Sequence, residues 1–175
     1  MLTRNYEVVY SARRTISLCI KGEKVIVRAP YGISNKKIYR LVEKHNAWIE
    51  KHIAEQSVRA KQNEALEARE GELRLLAREI LPQKTEMYAR QMGVSYGKIT
   101  ITGAKGRFGS CSSKGNISYS FRLMGYPEEA IDYVVVHELA HLFEMNHSPA
   151  FYRHVERILP DYKERRLLLK TKGIV

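Results

Sequence analysis

Several things are missing from this sequence, and each absence removes a class of protein. No apolar run is long enough to cross a bilayer. The N-terminus lacks the charged-then-apolar layout of a signal peptide. The two cysteines, Cys19 and Cys111, lie far apart and form no metal or redox motif. A reducing cytoplasm is therefore the expected setting. Internal repeats and low-complexity tracts are absent. The Gly- and Ser-rich stretch 103–113 lacks the Gly-x-x-x-x-Gly-Lys-[Ser/Thr] order and the helix that would follow it, so it is not a phosphate-binding loop. Acidic residues are scarce: 19 Asp and Glu against 30 Lys and Arg leave a net charge of +11. Such a field attracts nucleic acid or an acidic partner. Lys and Arg are spread along the chain rather than gathered in one tract, so a solvated basic surface with weak, non-specific nucleic-acid association is expected.

What is present suffices for a globular fold. At 175 residues and 44% hydrophobic content, the chain is long enough to bury a core as one compact domain. Two parts are expected within it, 1–70 and 71–175. Alternation through Tyr6–Tyr10, Thr15–Ile20 and Val25–Ala29, with a turn at Gly22-Glu23, predicts an N-terminal antiparallel β-meander. Ser34 caps a predicted helix carrying Ile38, Leu41, Val42, His45, Trp48 and Ile49 at helical spacing. His45 and His52 read as structural histidines. The apolar period fades from Ala54 to Glu70, and Gly71 punctuates it. A helix restarts at Leu73 and continues, kinked at Pro82, to Gly93. Ile99 and Ile101 mark a short strand, and Ile117, Tyr119, Phe121 and Leu123 alternate in another. The class is α+β, with several helices.

The chemistry centres on Val134–His147. His137-Glu138-Leu139-Ala140-His141 is H-E-x-x-H, with a third histidine, His147, six residues on. Residues four apart share a helix face, so His137 and His141 point at one metal ion. Neutral imidazoles suit zinc, and three protein ligands that leave one position open make a catalytic site. Glu138 then stands beside the reacting water as general base. Pro127, Glu128 and Glu129 start this helix. Asn146 ends it and turns His147 back, and Ser148-Pro149 caps the next one. His154, Glu156 and Glu164 are rivals for third ligand, but only His147 follows directly from a breaker. Asp161-x-x-Glu164 resembles a capping box for a final helix.

Other residues have open roles. Cys111 is either a small buried residue or a thiolate switch on the metal, and the former suits cysteine better. The strand Ile117–Leu123 precedes the metal helix and is expected at the sheet edge, where its backbone pairs with an extended substrate. Tyr152, His154, Tyr162 and Arg122 are candidates to stabilise an oxyanion.

Three blocks carry a family resemblance: Arg107-Phe108-Gly109-Ser110-Cys111-Ser112-Ser113-Lys114-Gly115-Asn116, then Ile131–His141, then Asn146-His147-Ser148 with Phe151. With Arg13–Ser17 and Val27–Pro30, they resemble the YgjP-like family of small zinc metallopeptidases, related to SprT-type proteases. The resemblance implies a zincin-like catalytic unit with an N-terminal extension, in which His137, His141 and His147 hold one zinc ion per chain and Glu138 is catalytic. Phe108 stands where the family usually carries tryptophan, which keeps an aromatic. The implied substrate is peptide or unfolded protein. A nucleic-acid-associated protease acting on DNA-bound protein is the alternative. Intact Glu138 argues against a metal-binding fold without turnover.

Overall fold

The computed structural model describes residues 6–22 and 24–171. The chain divides into two compact units, Met1–Lys61 and Gln62–Val175. The division falls inside a helix, upstream of the 70/71 point suggested by the fading periodicity.

In the first unit, β1 (Tyr6–Ser11), β2 (Ser17–Lys21) and β3 (Lys24–Pro30) precede α1 (Asn35–Lys44) and the start of α2 (Asn46–Ala68). The strands do not form an antiparallel meander. Their order is β1-β3-β2, with β1 parallel to β3 and β2 antiparallel to it. The reason lies in β3, where Val25, Val27 and Ala29 are almost wholly buried. The most apolar strand takes the centre, where both edges are paired. Lys21 pairs with Lys24 and Gly22 has φ 62°, while Glu23 of the expected turn lies outside the described residues. Val25, Val27 and Ala29 pack with Ile38, Val42, Ile49 and Ile53. The single helix expected from Ser34 is two, broken at His45. His45 and His52 each direct Nδ1 at the carbonyl four residues back, Leu41 O at 2.8 Å and Trp48 O at 3.0 Å.

In the second unit, α3 (Glu70–Met92) runs through Pro82 and ends at Gly93, whose φ of 70° is the left-handed turn glycine permits. The break before α3 falls at Arg69 rather than Gly71. β4 (Ile99–Thr102), β5 (Gly109–Cys111) and β6 (Ile117–Ser120) follow, then a 3-10 turn Phe121–Gly125. Helices α4 (Glu128–Ala140), α5 (Pro149–Ile158) and α6 (Tyr162–Thr171) complete it. The α+β class is as expected.

The second sheet has the order β4-β6-β5, with β6 parallel to β4 and antiparallel to β5. The strand expected at the edge is therefore the central one. Ile117 and Tyr119 are fully buried, and so are Phe121 and Leu123 beyond it. A strand this buried belongs between two partners. The edges fall to β4 and β5, and β5 lies in the Gly- and Ser-rich stretch. Phe108, just before β5, meets Tyr126 edge-on at 4.8 Å.

Phe121, Leu139, Phe151, Val135 and Leu81 are core residues of this unit. Each fully buried large side chain contributes roughly 1.5–3 kcal/mol. Polar ties fix the helices around them. Lys84 of α3 donates to Asp132 of α4 at 2.7 Å and to Glu128 at 2.6 Å, and Arg165 of α6 reaches Asp132 at 3.5 Å. Asp161 directs its carboxylate to Arg165 at 2.8 Å, where a capping box was expected.

Candidate metal centre

The three histidines come from two structural devices. α4 presents His137 on its last full turn, and its central residues are buried nearly all round. His141 follows as the C-cap. The helix ends at Ala140 rather than near Asn146, because the chain tightens: Phe143 N and Glu144 N both donate to Ala140 O at 3.1 Å. His141 Nδ1 donates to Glu144 O at 3.1 Å and holds that turn. Phe143 is 40% exposed and stacks on His154 at 4.2 Å. The chain then returns to α5, whose N-cap Ser148 accepts from Phe151 N at 3.3 Å with Pro149 in the first turn. The cap is the one the sequence suggested. It holds His147 immediately before a rigid helix start.

His137, His141 and His147 come together. Their ligand atoms lie within 4.8 Å of one another, and His137 Nε2 stands 3.0 Å from His147 Nε2. A tetrahedral zinc ion holds ligand nitrogens about 3.3 Å apart, so the donor set fits such an ion. Phe151 forms the floor. Its fully buried ring lies 4.9 Å from the His137 ring, 4.6 Å from His141 and 4.8 Å from His147.

Hydrogen bonds to the far nitrogens set which nitrogen faces inward. With Nδ1 of His141 donating to Glu144 O, its Nε2 is left for a ligand role. His137 Nδ1 has Tyr133 Oη at 3.4 Å, one helical turn back. Burial, then the charges of His141 and His147, pull the His137 pKa down to about 3. Burial likewise lowers that of His141. Both imidazoles are neutral at ordinary pH, the form a metal requires.

Glu138 is 5% exposed, and its Oε2 is buried without a hydrogen-bond partner. Burial pushes its pKa up to about 7, with the Arg107 charge pulling the other way. Glu138 directly follows His137 in α4, and a buried carboxylate oxygen without a partner is a group that calls for an explanation.

The other sequence candidates are elsewhere. Among the described residues, His154, Glu156 and Glu164 are outside the cluster. So is Cys111, which donates Sγ–H to Ser112 O at 3.5 Å; burial raises its pKa, helped by the Glu138 charge. Arg122 is buried over the Phe121 ring and bonded to Glu67 at 3.0 Å. Tyr152 stacks on Tyr162 at 5.7 Å, and its ring lies 6.3 Å from that of His147. Sequence reasoning missed Tyr133 and the platform role of Phe151. Tyr133 was findable, since it lies four residues before His137. Arg107, whose field reaches Glu138, and Arg166, whose field reaches His137, carry no such signal.

The chain matches a family model described as YgjP-like, metallopeptidase domain, over residues 14–77 and 56–172. No curated protein matches it. Among solved structures it is similar to the metallopeptidase zymogen abylysin of Pyrococcus abyssi, at 28% identity and TM-score 0.47, over 55% of this chain and 100% of that one. It is also similar to the metallopeptidase zymogen jannalysin of Methanocaldococcus jannaschii, at 18% identity and TM-score 0.46, over 51% of this chain and 92% of that one.

Proposed function

The chain belongs to the YgjP-like metallopeptidase family, and from that premise we propose that His137, His141 and His147 hold one zinc ion while Glu138 serves as general base in peptide-bond hydrolysis. The observation that carries this is the convergence of three imidazoles, together with a carboxylate on the residue after His137 whose buried Oε2 has no partner. A zinc ion bound there supplies Lewis acidity, polarising the scissile carbonyl and making water easier to deprotonate.

The remaining steps belong to the protein. Glu138 Oε2 takes the proton from the attacking water and later gives it to the leaving amine nitrogen. A carboxylate with a pKa near 7 suits both transfers, since it neither holds nor refuses a proton strongly at neutral pH. Tyr133 and the Glu144 carbonyl keep His137 and His141 in one tautomer. Phe151 excludes water from beneath the cluster. Residues 62–175 form the zincin-like catalytic unit, since all these side chains lie within it.

Substrate enters as an extended strand. β5 is one of the two edge strands of its sheet, bonded to β6 on one side, so its outer backbone groups are available to a peptide. This backbone pairing gives affinity with little side-chain selectivity, so unstructured peptide or unfolded protein is the substrate class. No helix of the described residues is long and apolar enough to cross a membrane.

Glu138→Gln tests the reading. The variant keeps zinc and loses peptide hydrolysis by roughly 10²–10⁴-fold, whereas His137→Ala and His141→Ala lose zinc and activity together. Hydrolysis by Glu138→Gln at the parental rate rules out Glu138 as the base.

A further inference from the structure

The residue facing Glu138 across the sheet edge is a glycine, and its backbone does not require one. Gly109 does not adopt the positive φ of Gly22, Gly32, Gly93 and Gly115. What distinguishes it is space. A Cβ at Gly109 would lie 2.5 Å from Glu138 Oε1 and 2.7 Å from its Cδ and Cγ, closer than real Cβ contacts come. We propose that Gly109 is a positioning residue: its missing side chain leaves the slot in edge strand β5 that seats the Glu138 carboxylate. This rests on Glu138 being the general base.

Neither wall of the slot has room to retreat. Gly109 pairs with Tyr119 of the central strand, and Tyr119 is fully buried. Ser120 N donates to Phe108 O at 2.8 Å and pins the residue before the glycine. Opposite, Val135, Val136 and Leu139 anchor α4 with no exposed surface. Close-packed interiors transmit such an intrusion to whatever is least fixed. Here that is the unpartnered end of the Glu138 side chain. Alanine at 109 therefore displaces the carboxylate while strand, helix and histidines stay in place. The three atoms nearest to that Cβ all belong to Glu138, so the tightest clash is with that side chain.

Two measurements on the full chain test this. In the zinc-loaded protein, Gly109→Ala is expected to lower kcat about 100-fold, the low end of what general-base catalysis supplies. KM should stay within about threefold, since only the proton-transfer geometry changes, and zinc content should be unaltered. In the metal-free protein, Gly109→Ala should lower Tm by about 5 °C when Glu138 is present. In a Glu138→Ala background the same change should be neutral or slightly stabilising, because alanine restricts the unfolded chain more than glycine does. A strand that merely dislikes alanine gives the same Tm loss in both backgrounds, and that result overturns the proposal, as does parental kcat in Gly109→Ala. If Gly109→Ala does not fold, folding of the Gly109→Ala/Glu138→Ala protein supports the proposal, and its failure to fold overturns it. The metal-free cycle reads packing alone, so an active Glu138→Gln variant would sink the general-base reading separately.

Discussion

Replacing Tyr133 with phenylalanine removes one oxygen and nothing else from the surroundings of His137. The ring is 4% exposed and stays, so the packing of α4 is unchanged. What goes is the partner of His137 Nδ1 at 3.4 Å. With Nε2 turned towards His147, Nδ1 carries the proton and donates to the phenol oxygen, which fixes ring and tautomer. Burial pushes the Tyr133 pKa up to about 12, so the phenol stays neutral at any pH an assay would use. A net hydrogen bond is worth about 0.5–1.5 kcal/mol, and 3.4 Å lies at the long end of the geometry. The lower half of that range corresponds to roughly 2–6-fold in an equilibrium constant. Losing an orienting partner of a metal ligand costs about 10–100-fold in affinity or activity. The weak geometry argues for about tenfold, mostly in affinity. Zinc competition against a chromophoric chelator measures this directly, with thermal unfolding of the metal-free protein as control. At saturating zinc, kcat should remain within about threefold of the parent. Zinc affinity within twofold of the parent would show that the phenol orients nothing.

Lys84→Met should destabilise the protein by about 2 kcal/mol in urea unfolding, below the 3–5 kcal/mol for a fully orphaned buried charge, because Arg165 still reaches Asp132. Burial alone would lower the Lys84 pKa, but its hydrogen bonds to Asp132 and Glu128 raise it. A raised folded pKa means the contribution is whole below the unfolded value of 10.5 and is lost as pH climbs through the folded one. The gap between parent and variant should thus hold from pH 7 to 10 and shrink above; a gap that instead closes on acidification would refute this assignment. Cys111→Ser should leave zinc content and peptide hydrolysis unchanged, and strong activation would reveal a thiol switch after all. Nucleic-acid retention should be weak, sequence-independent and steeply salt-dependent, with residues 1–61 carrying the larger share of the net positive charge. Sequence-selective binding that survives physiological salt would contradict it.

The parts legible in the sequence are those set by short-range geometry. His137 and His141 share a face because a helix repeats every 3.6 residues, and Glu138 is fixed as the residue between them that follows His137. Ser148-Pro149 and Gly93 mark helix ends because caps depend on one residue's backbone and side chain. The grouping of His147 with the other two followed from a breaker and a cap within seven residues. Buried cores followed from alternation and helical stripes, although some helix boundaries moved where tertiary contacts took over, as at Ala140 and His45.

Strand order was not legible, since alternation says which face of a strand is buried and not which neighbours it has. Competition for the sheet centre put β3 and β6 there, which made β1 parallel to its partner and left β4 and β5 as the edges of the second sheet. The Lys84–Asp132 pair joins residues 48 apart in sequence, and its geometry exists only once α3 lies against α4. Gly109 faces Glu138 for the same reason: a three-residue strand with no periodicity of its own is set against a helix by the packing of both. The sequence alone determined which histidines come together, because they are spaced along one helix and its turn. Tertiary structure decided what surrounds them, because close packing brings together residues that no local repeat connects.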